Sequence, residues 1–348
     1  MVAVSGFAPL SACRRGLLLS STDAERGPRL NLRKWAKRGL LTLAAGLALF
    51  VFGWVPYWLG GLVTTRRFQF PDKENAGLTP AAFHLPYEDV AFNASDGVPL
   101  KGWWLPAPGG KARGSVVLVH GLNRSRVEMV RKAPFVYESG WNALLFDLRH
   151  HGDSGGNVSS FGHFESEDVR AAVSLARLRS AGPVVLWGVS LGGAAATLAA
   201  AGDPRVAGLV CDSSYRSLRD TVAHHFLLFR GFRWWLQIVP AWPVVSEVVF
   251  WIGRRGGFDP DGVDIVAAAS RLAGRPALFV CNSGDRRMPK EIAFDLQRAA
   301  GDSARVLVVP GESHGGAYRD ATAAYQGAVE EILTASLARP APALASAR

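Results

Sequence analysis

The sequence predicts an α/β fold with a mostly parallel, eight-stranded sheet and helices on both faces. From Phe83 onward, short runs rich in apolar residues alternate with helix-like segments, which is typical of parallel strands joined by helical crossovers. The middle of most of these runs is apolar, as expected for strands buried on both faces. They are EDVAFNA, LKGWWLP, SVVLVH, NALLFDL, PVVLWG, VAGLVCD, PALFVCN and ARVLVVP.

Length and composition favour one large domain with appendages. The chain has 348 residues and is 49% apolar, enough for one large hydrophobic core. We predict that the domain spans residues 83–336 and is a single folding unit. The last segment, 337–348, is rich in Ala and Pro and is expected to be disordered.

Positive charge is concentrated at the N-terminus. The formal net charge is +10, and residues 1–38 hold eight Lys or Arg against two Asp or Glu. The remaining residues carry no Lys/Arg stripe and no nucleic-acid motif, so a nucleic-acid partner is not expected. We predict a basic N-terminal tail over 1–38.

The basic tail leads into an uncharged apolar segment, 39–63. As a helix, these 25 residues would rise about 37 Å, enough to cross a hydrocarbon core of about 30 Å. We predict a single transmembrane helix, with a linker over 64–82. More cations precede the helix than follow it, which predicts a cytoplasmic N-terminus and a domain on the periplasmic or extracellular side. A cleaved signal peptide is the alternative.

The stretch PVVLWGVSLGGAAATLAAA predicts a sharp strand-to-helix corner. The strand-forming run PVVLWG ends at Gly188, Ser190 lies two positions later, and the run GGAAATLAA after it predicts an Ala-rich helix. A corner residue in a crowded backbone conformation needs small neighbours, and Gly188 and Gly192 supply them. Such a corner presents the serine hydroxyl at the top of the sheet, as in a nucleophile elbow.

Polar residues follow several other predicted strands, at the edge where ligands bind in parallel sheets. HGLN follows SVVLV, DLRHHGDSGG follows NALLF, NSGDRRMP follows PALFV, and GESHGG follows ARVLVVP. On these motifs, residues 83 to 335 resemble the α/β-hydrolase superfamily, in particular its small membrane-anchored serine hydrolases. The family order is serine, acid, histidine, which the resemblance carries onto Ser190, Asp285 and His314.

The resemblance implies a role for each site residue. Ser190 attacks the substrate, His314 acts as base and then acid, and Asp285 orients the histidine. The backbone N–H groups of Leu122 and Leu191 are expected to form the oxyanion hole.

Other acids and histidines near the strand ends are alternatives for the triad or have structural roles. Asp212 also follows a strand and is the alternative acid. Asp147 and Arg149 resemble a motif that fixes a loop, and His120 is expected to shape the oxyanion loop rather than act as a base.

No cofactor and no metal site is expected. The adjacent histidines in His150-His151 and His224-His225 point apart in a strand or helix, and no acidic or Cys partner lies at ligand spacing. Cys211 and Cys281 lie in apolar strands, which favours buried free thiols.

A long insertion rich in aromatic residues separates two of the predicted strands. It covers about 214–262 and interleaves Phe and Trp with arginines such as Arg230 and Arg233. In the superfamily this is a usual place for a lid. The alternatives are a helical excursion packed on its own domain and, less favoured because charges interrupt the run, a second membrane span.

These observations predict a membrane-anchored serine hydrolase that cleaves an ester or related acyl bond. The aromatic lid and the apolar helix favour a small-molecule substrate with an apolar or lipid-like acyl group, and membrane lipid as a partner. A peptidase or thioesterase uses the same triad. A non-catalytic, membrane-tethered scaffold on the same fold is the alternative from another class, and the sequence does not indicate the oligomeric state.

Overall fold

Eight strands form one sheet in the computed structural model, which describes residues 31–69 and 74–339, without the side chains of Trp235 and Leu236. The order is β1-β2-β4-β3-β5-β6-β7-β8. Pairs β1/β2 and β2/β4 are antiparallel and the other five are parallel. The strands are β1 Glu88–Asn93, β2 Pro99–Leu105, β3 Ser115–Val119, β4 Asn142–Phe146, β5 Val184–Val189, β6 Val206–Asp212, β7 Ala277–Asn282 and β8 Ala304–Val309.

Each strand coincides with one of the eight apolar runs, so the predicted fold class is confirmed. The helices are α1 Leu32–Leu49, α2 Val55–Thr64, α3 Ala133–Glu138, α4 Glu165–Arg179, α5 Leu191–Gly202, α6 Leu218–Phe232, α7 Ala241–Gly256, α8 Ile265–Ala269, α9 Glu291–Ala300, α10 Ala317–Asp320 and α11 Thr322–Leu337. Short 3₁₀ segments occur at Pro80–Phe83, Pro108–Gly110, Arg126–Lys132, Trp234–Ile238 and Pro260–Gly262.

Helices cover both faces of the sheet and divide the core into two layers. In β3, Val117 and Val119 point into one layer, with α4, α5 and α9. Val116 and Leu118 point into the other, with α3 and α11. Because neighbouring strand residues face opposite sides, a strand apolar at every position fills both layers. This explains why the central strands are continuous apolar runs.

The N-terminal helix is continuous from Leu32 to Thr64, through a π-helical turn at Phe50–Trp54. Its 18-residue apolar window has a mean hydropathy of 1.9, and its 33 residues rise about 50 Å. By length and composition it could cross a membrane, although a signal sequence passes the same test. Pro56 lacks an N–H and crowds the preceding turn, and the wider π turn just before it relieves that crowding.

The helix begins inside the segment predicted as a basic tail. Arg33, Lys34 and Lys37 lie in its first turns. Residues 1–30 of that tail lie outside the described part of the chain. The chain consists of two units, Met1–Ala48 and Leu49–Arg348. The second unit therefore includes α2 together with the whole sheet.

Helix α2 packs against α7, a contact that the sequence analysis did not predict. A Cβ atom on Gly60 would lie 2.8 Å from Cβ of Trp251, and one on Gly61 would lie 2.6 Å from Nε of Arg255. The rings of Tyr57 and Trp251 meet edge to face at 5.0 Å. The two glycines therefore let the helices approach closely.

The insertion predicted over 214–262 lies between β6 and β7. It contains α6, the 3₁₀ turn Trp234–Ile238, α7 and the 3₁₀ turn Pro260–Gly262. Of the predicted linker, residues 70–73 lie outside the described residues, as do residues 340–348 of the predicted disordered tail. The predictions for those segments stay predictions.

Candidate active site

Ser190 occupies a strained corner between β5 and α5. Its backbone has φ 53° and ψ −115°, a region that L residues rarely adopt and that costs on the order of 1–3 kcal/mol. A Cβ atom on Gly188 would lie 2.2 Å from the carbonyl oxygen of Gly192, and one on Gly192 would lie 2.3 Å from that of Val119. Both glycines are therefore needed for the chain to turn at this point.

The structure brings together the three residues to which the resemblance assigns the triad. Ser190 Oγ lies 2.9 Å from His314 Nε2, and His314 Nδ1 lies 2.7 Å from Asp285 Oδ2. With the proton on Nδ1, the histidine donates to the carboxylate and its Nε2 accepts from the serine hydroxyl. The arrangement can pass the serine proton to the histidine.

Backbone hydrogen bonds in the loop after β7 fix Asp285. Its Oδ1 accepts from the N–H groups of Arg287 at 2.8 Å and Met288 at 3.1 Å, which leaves Oδ2 for His314. Burial raises the pKa of Asp285, but the hydrogen bonds from His314, Met288 and Arg287 outweigh burial and hold the pKa below its ordinary value. The carboxylate is therefore ionised at neutral pH.

Asp212, the alternative acid, is buried and bound elsewhere. Its Oδ1 accepts from the Ser213 hydroxyl at 2.8 Å, and its Oδ2 accepts from the Tyr325 hydroxyl at 3.0 Å. Among the hydrogen bonds of the described residues, none joins Asp212 to the His314 ring. The geometry places Asp285, rather than Asp212, on the histidine.

Two backbone N–H groups flank the nucleophile. Leu191 is the first residue of α5, so its N–H has no acceptor within the helix. Leu122 follows Gly121, whose Cα lies beside the nucleophile: a Cβ added there would be 3.6 Å from Cβ of Ser190. Within the described part of the chain, neither the Leu122 nor the Leu191 N–H has a hydrogen-bond acceptor, and the N-terminus of α5 adds positive potential. Both groups are free to bind an oxyanion.

The carboxylate of Glu128 braces the loop that holds Leu122. Its Oε2 accepts from the Gly121 N–H at 2.7 Å. This bond fixes the His120–Gly121 peptide unit, which precedes the unit that carries the Leu122 N–H. Sequence reasoning missed this residue, because a glutamate seven positions after Gly121 in a 3₁₀ segment forms no recognisable pattern.

Ser213 braces the opposite side of the site and was also missed. It follows β6 with φ 51°, and its hydroxyl accepts from the Gly315 N–H at 3.2 Å while donating to Asp212. Gly315 is the neighbour of His314. The buried Asp212 thus supports the histidine loop through Ser213 and does not contact the imidazole.

His120 is a structural residue of the oxyanion loop, as the resemblance implied. It is fully buried. Its Nδ1 donates to the carbonyl of Gly121 at 2.8 Å, and its Nε2 accepts from the N–H of Leu148 at 3.0 Å. Burial and then the neighbouring His151 lower the pKa of His120 to about 3. It therefore stays neutral, with both nitrogens occupied.

Asp147 and Arg149 hold loops at the same edge of the sheet. Asp147 accepts from the backbone N–H groups of Arg126 at 2.7 Å and Asp153 at 2.8 Å. Arg149 is buried and forms ion pairs with Asp168 and Asp96, each at 2.7 Å. Neither residue reaches the Ser190 hydroxyl.

No group of three potential metal ligands occurs among the described residues. His224 Nε2 donates to the carbonyl of Arg286 at 2.8 Å, and His225 Nδ1 donates to that of Thr221 at 2.9 Å. Cys211 and Cys281 are free and buried. Burial raises the pKa of Cys211 to about 12 and that of Cys281 to about 11, so neither is a reactive thiolate.

Known structures share this architecture. An esterase from Pyrococcus furiosus, Pf2001, superposes with a TM-score of 0.62 at 21% identity, covering 77% of this chain and 98% of the esterase. The chain has the α/β-hydrolase fold. A family model described as serine aminopeptidase, S33, matches residues 110–262 of this chain. That match includes Ser190 and ends before Asp285 and His314.

Two bacterial relatives by sequence are uncharacterized proteins. The chain is 25% identical over 224 residues to the uncharacterized protein YqkD of Bacillus subtilis, covering 63% of this chain and 70% of YqkD. It is 26% identical over 280 residues to the uncharacterized protein YfhR of Escherichia coli K12, covering 78% of this chain and 87% of YfhR. The family model supports a hydrolase at the level of class, and the solved structures support the fold.

Proposed function

We propose that the chain is a membrane-anchored serine hydrolase that cleaves an ester or a related acyl bond through an acyl-enzyme. One observation carries the proposal: an unbroken hydrogen-bonded chain from Ser190 through His314 to Asp285, at a serine that the backbone strains to present. Such strain persists only where the surrounding structure enforces it.

Each residue then has a defined step. The Ser190 oxygen attacks the acyl carbon while its proton passes to Nε2 of His314, and Asp285 stabilises the resulting imidazolium. The N–H groups of Leu122 and Leu191 bind the oxyanion. His314 returns the proton to the leaving group, which departs and leaves Ser190 acylated. Water then attacks with His314 as base, releasing the acid and restoring the serine.

The surroundings of the site favour an apolar acyl group. The insertion over 214–262 is rich in aromatic residues, and His224 ties its helix α6 to the carbonyl of Arg286, next to Asp285. An apolar roof beside the nucleophile suits an aliphatic or lipid-like chain. The matched family description names a serine aminopeptidase, which makes a peptide bond the second candidate. The same triad also cleaves thioesters, so a thioester is a third candidate bond.

The N-terminal helix supports membrane attachment. It is long and apolar enough to span a bilayer, and most cations of this region precede its apolar part. The positive-inside rule then puts the N-terminus in the cytoplasm and the hydrolase on the periplasmic or extracellular side. The tethered-scaffold alternative is less favoured, because a scaffold has no need of an aligned triad or a strained serine.

A fluorophosphonate probe tests the nucleophile without knowledge of the substrate. We expect the full chain in detergent to be labelled and Ser190→Ala to be unlabelled. Ser270→Ala is the control, because Ser270 is exposed and lies outside the site; this variant should be labelled like the wild type. Labelling of Ser190→Ala at the wild-type rate would refute the proposal. A panel of short and long acyl esters, thioesters and aminoacyl anilides then ranks the bond types.

A further inference from the structure

The end of the lid exposes an unusual number of large apolar side chains. We call residues 229–242 the lid tip: it joins the end of α6, the 3₁₀ turn and the start of α7. Monomeric soluble proteins rarely leave such side chains grouped in water. The exposed fractions are 61% for Phe229, 67% for Phe232, 80% for Trp234, 83% for Ile238 and 76% for Trp242.

The lid tip is also positively charged. It contains Arg230 and Arg233 and no Asp or Glu. Arg230 donates to the carbonyl of Gln237 at 2.7 Å, and Arg233 is exposed. Exposed Trp and Phe beside arginine is the composition that enters the interface of a phospholipid bilayer, where rings reach the acyl boundary and guanidinium groups meet phosphates.

Helices α2 and α7 run in the same direction. Gly60 lies against Trp251, as described above. Four residues later, the Thr64 carbonyl accepts from the N–H of Ser159 at 2.8 Å. The neighbour of Ser159, Val158, lies 3.7 Å from the position of a Cβ on Gly256. Residues 60 to 64 therefore advance alongside residues 251 to 256.

The start of α7 consequently lies toward the Phe50–Trp54 turn, which α7 also contacts. Trp242 belongs to this start and to the lid tip. In the same stretch of the N-terminal helix, Phe50 is 50% exposed, Trp54 is 52% exposed and Trp58 is 46% exposed. Trp242 of the lid tip and the exposed rings of the N-terminal helix therefore lie toward the same end of α7.

We propose that the lid tip inserts into the bilayer leaflet that the N-terminal helix crosses, with an anionic phospholipid surface as its partner. The inference rests on the proposed membrane attachment and names where the substrate enters. The lid tip then opens the roof of Ser190 toward the lipid phase, and acyl chains reach the nucleophile from the membrane.

Depth-dependent fluorescence quenching in the full chain tests this. A Cys13→Ser background leaves only the buried Cys211 and Cys281, and a fluorophore is attached at Trp242→Cys. The matched control is Leu178→Cys, on α4, where the leucine is 80% exposed. In vesicles of phosphatidylcholine and phosphatidylglycerol with spin-labelled acyl chains, we expect at least fivefold stronger quenching at position 242 than at 178. Equal quenching would overturn the proposal.

Reversing the charge of the lid tip is the second test of the proposal. The pair Arg230→Glu and Arg233→Glu should reduce quenching at position 242 by at least half, while Arg271→Glu, at an exposed site outside the lid, should not. An equal effect of both changes would also overturn the proposal. Quenching without fluorophosphonate labelling of Ser190 would reject the proposed activity and keep the membrane contact. Labelling of Ser190 without quenching at position 242 would reject the membrane contact and keep the proposed activity.

Discussion

Tyr325 donates its hydroxyl to Oδ2 of Asp212 at 3.0 Å, so this buried carboxylate is committed to the core. Trp187 extends the network by donating its indole N–H to the Tyr325 oxygen at 3.0 Å. Of the two acids that follow neighbouring strands, one therefore stabilises the fold and the other orients His314. The two functions are separable by mutation.

Replacing Asp285 by Asn should lower kcat on the order of 10⁴-fold, because the amide no longer stabilises the imidazolium or fixes its tautomer. Asp212→Asn should keep kcat within about tenfold and lower the melting temperature by several degrees instead, because it weakens a buried network. Steady-state kinetics and differential scanning fluorimetry of both variants check this. The opposite ranking of the two kcat values would transfer the acid role to Asp212.

Glu128→Ala should lower kcat by roughly 10- to 100-fold with little change in KM. The loss is smaller than the 10²–10³-fold cost of deleting an oxyanion donor, because the Leu122 N–H remains and loses only its orientation. Glu128→Gln keeps an oxygen that can accept from the Gly121 N–H, so it should recover most of the activity. A KM effect without a kcat effect in Glu128→Ala would contradict this role.

The buried His120 should make the protein less stable in mild acid. Its pKa is about 3 in the folded protein against an ordinary 6.5, so its contribution is complete above pH 6.5 and is lost as the pH falls toward 3. From pH 7 to pH 5 the loss is about 2 kcal/mol.

Melting temperatures of the wild type and His120→Asn across that pH range measure the effect. The variant should show a shallower pH dependence than the wild type. His84→Asn replaces an exposed histidine and should leave the slope unchanged. Parallel curves for wild type and His120→Asn would show that another group dominates.

Gly60→Ala should destabilise the hydrolase unit by about 1–3 kcal/mol, because the new methyl group meets Trp251 and overpacks the α2/α7 contact. Gly53→Ala is the matched control in the same helix, since nothing lies within 4 Å of its added Cβ. Thermal unfolding of both variants in detergent compares them. If the two alanines behave alike, α2 does not contribute to the stability of the domain.

The strands and the corner at Ser190 could be predicted from sequence because their causes are local. A central parallel strand must be apolar on both faces, and the positive φ of Ser190 requires glycine two residues to either side. The order of serine, acid and histidine then follows the superfamily pattern. What the sequence left open was the choice between Asp212 and Asp285, since both follow a strand.

Contacts between distant residues escaped prediction. Gly60 and Gly61 lie in an apolar run, for which the sequence predicts only a membrane span. In the structure, the two glycines form the contact with α7. Ser213 and Glu128 act by accepting hydrogen bonds from the backbone N–H groups of Gly315 and Gly121, and a backbone donor leaves no mark on the sequence. The start of the helix at Leu32 was also missed, because hydropathy reports the apolar stretch and not the charged turns before it.

The packing of α2 on α7 bears on the maturation of the protein. A protease that removed the helix after Thr64 would strip the partner from Trp251 and from Arg255, whose guanidinium lies 4.6 Å over the Tyr57 ring. The released fragment would expose the apolar face of α7 and would be prone to self-association. A shortened chain made for crystallisation or assay should therefore start before Val55, and not at the first strand.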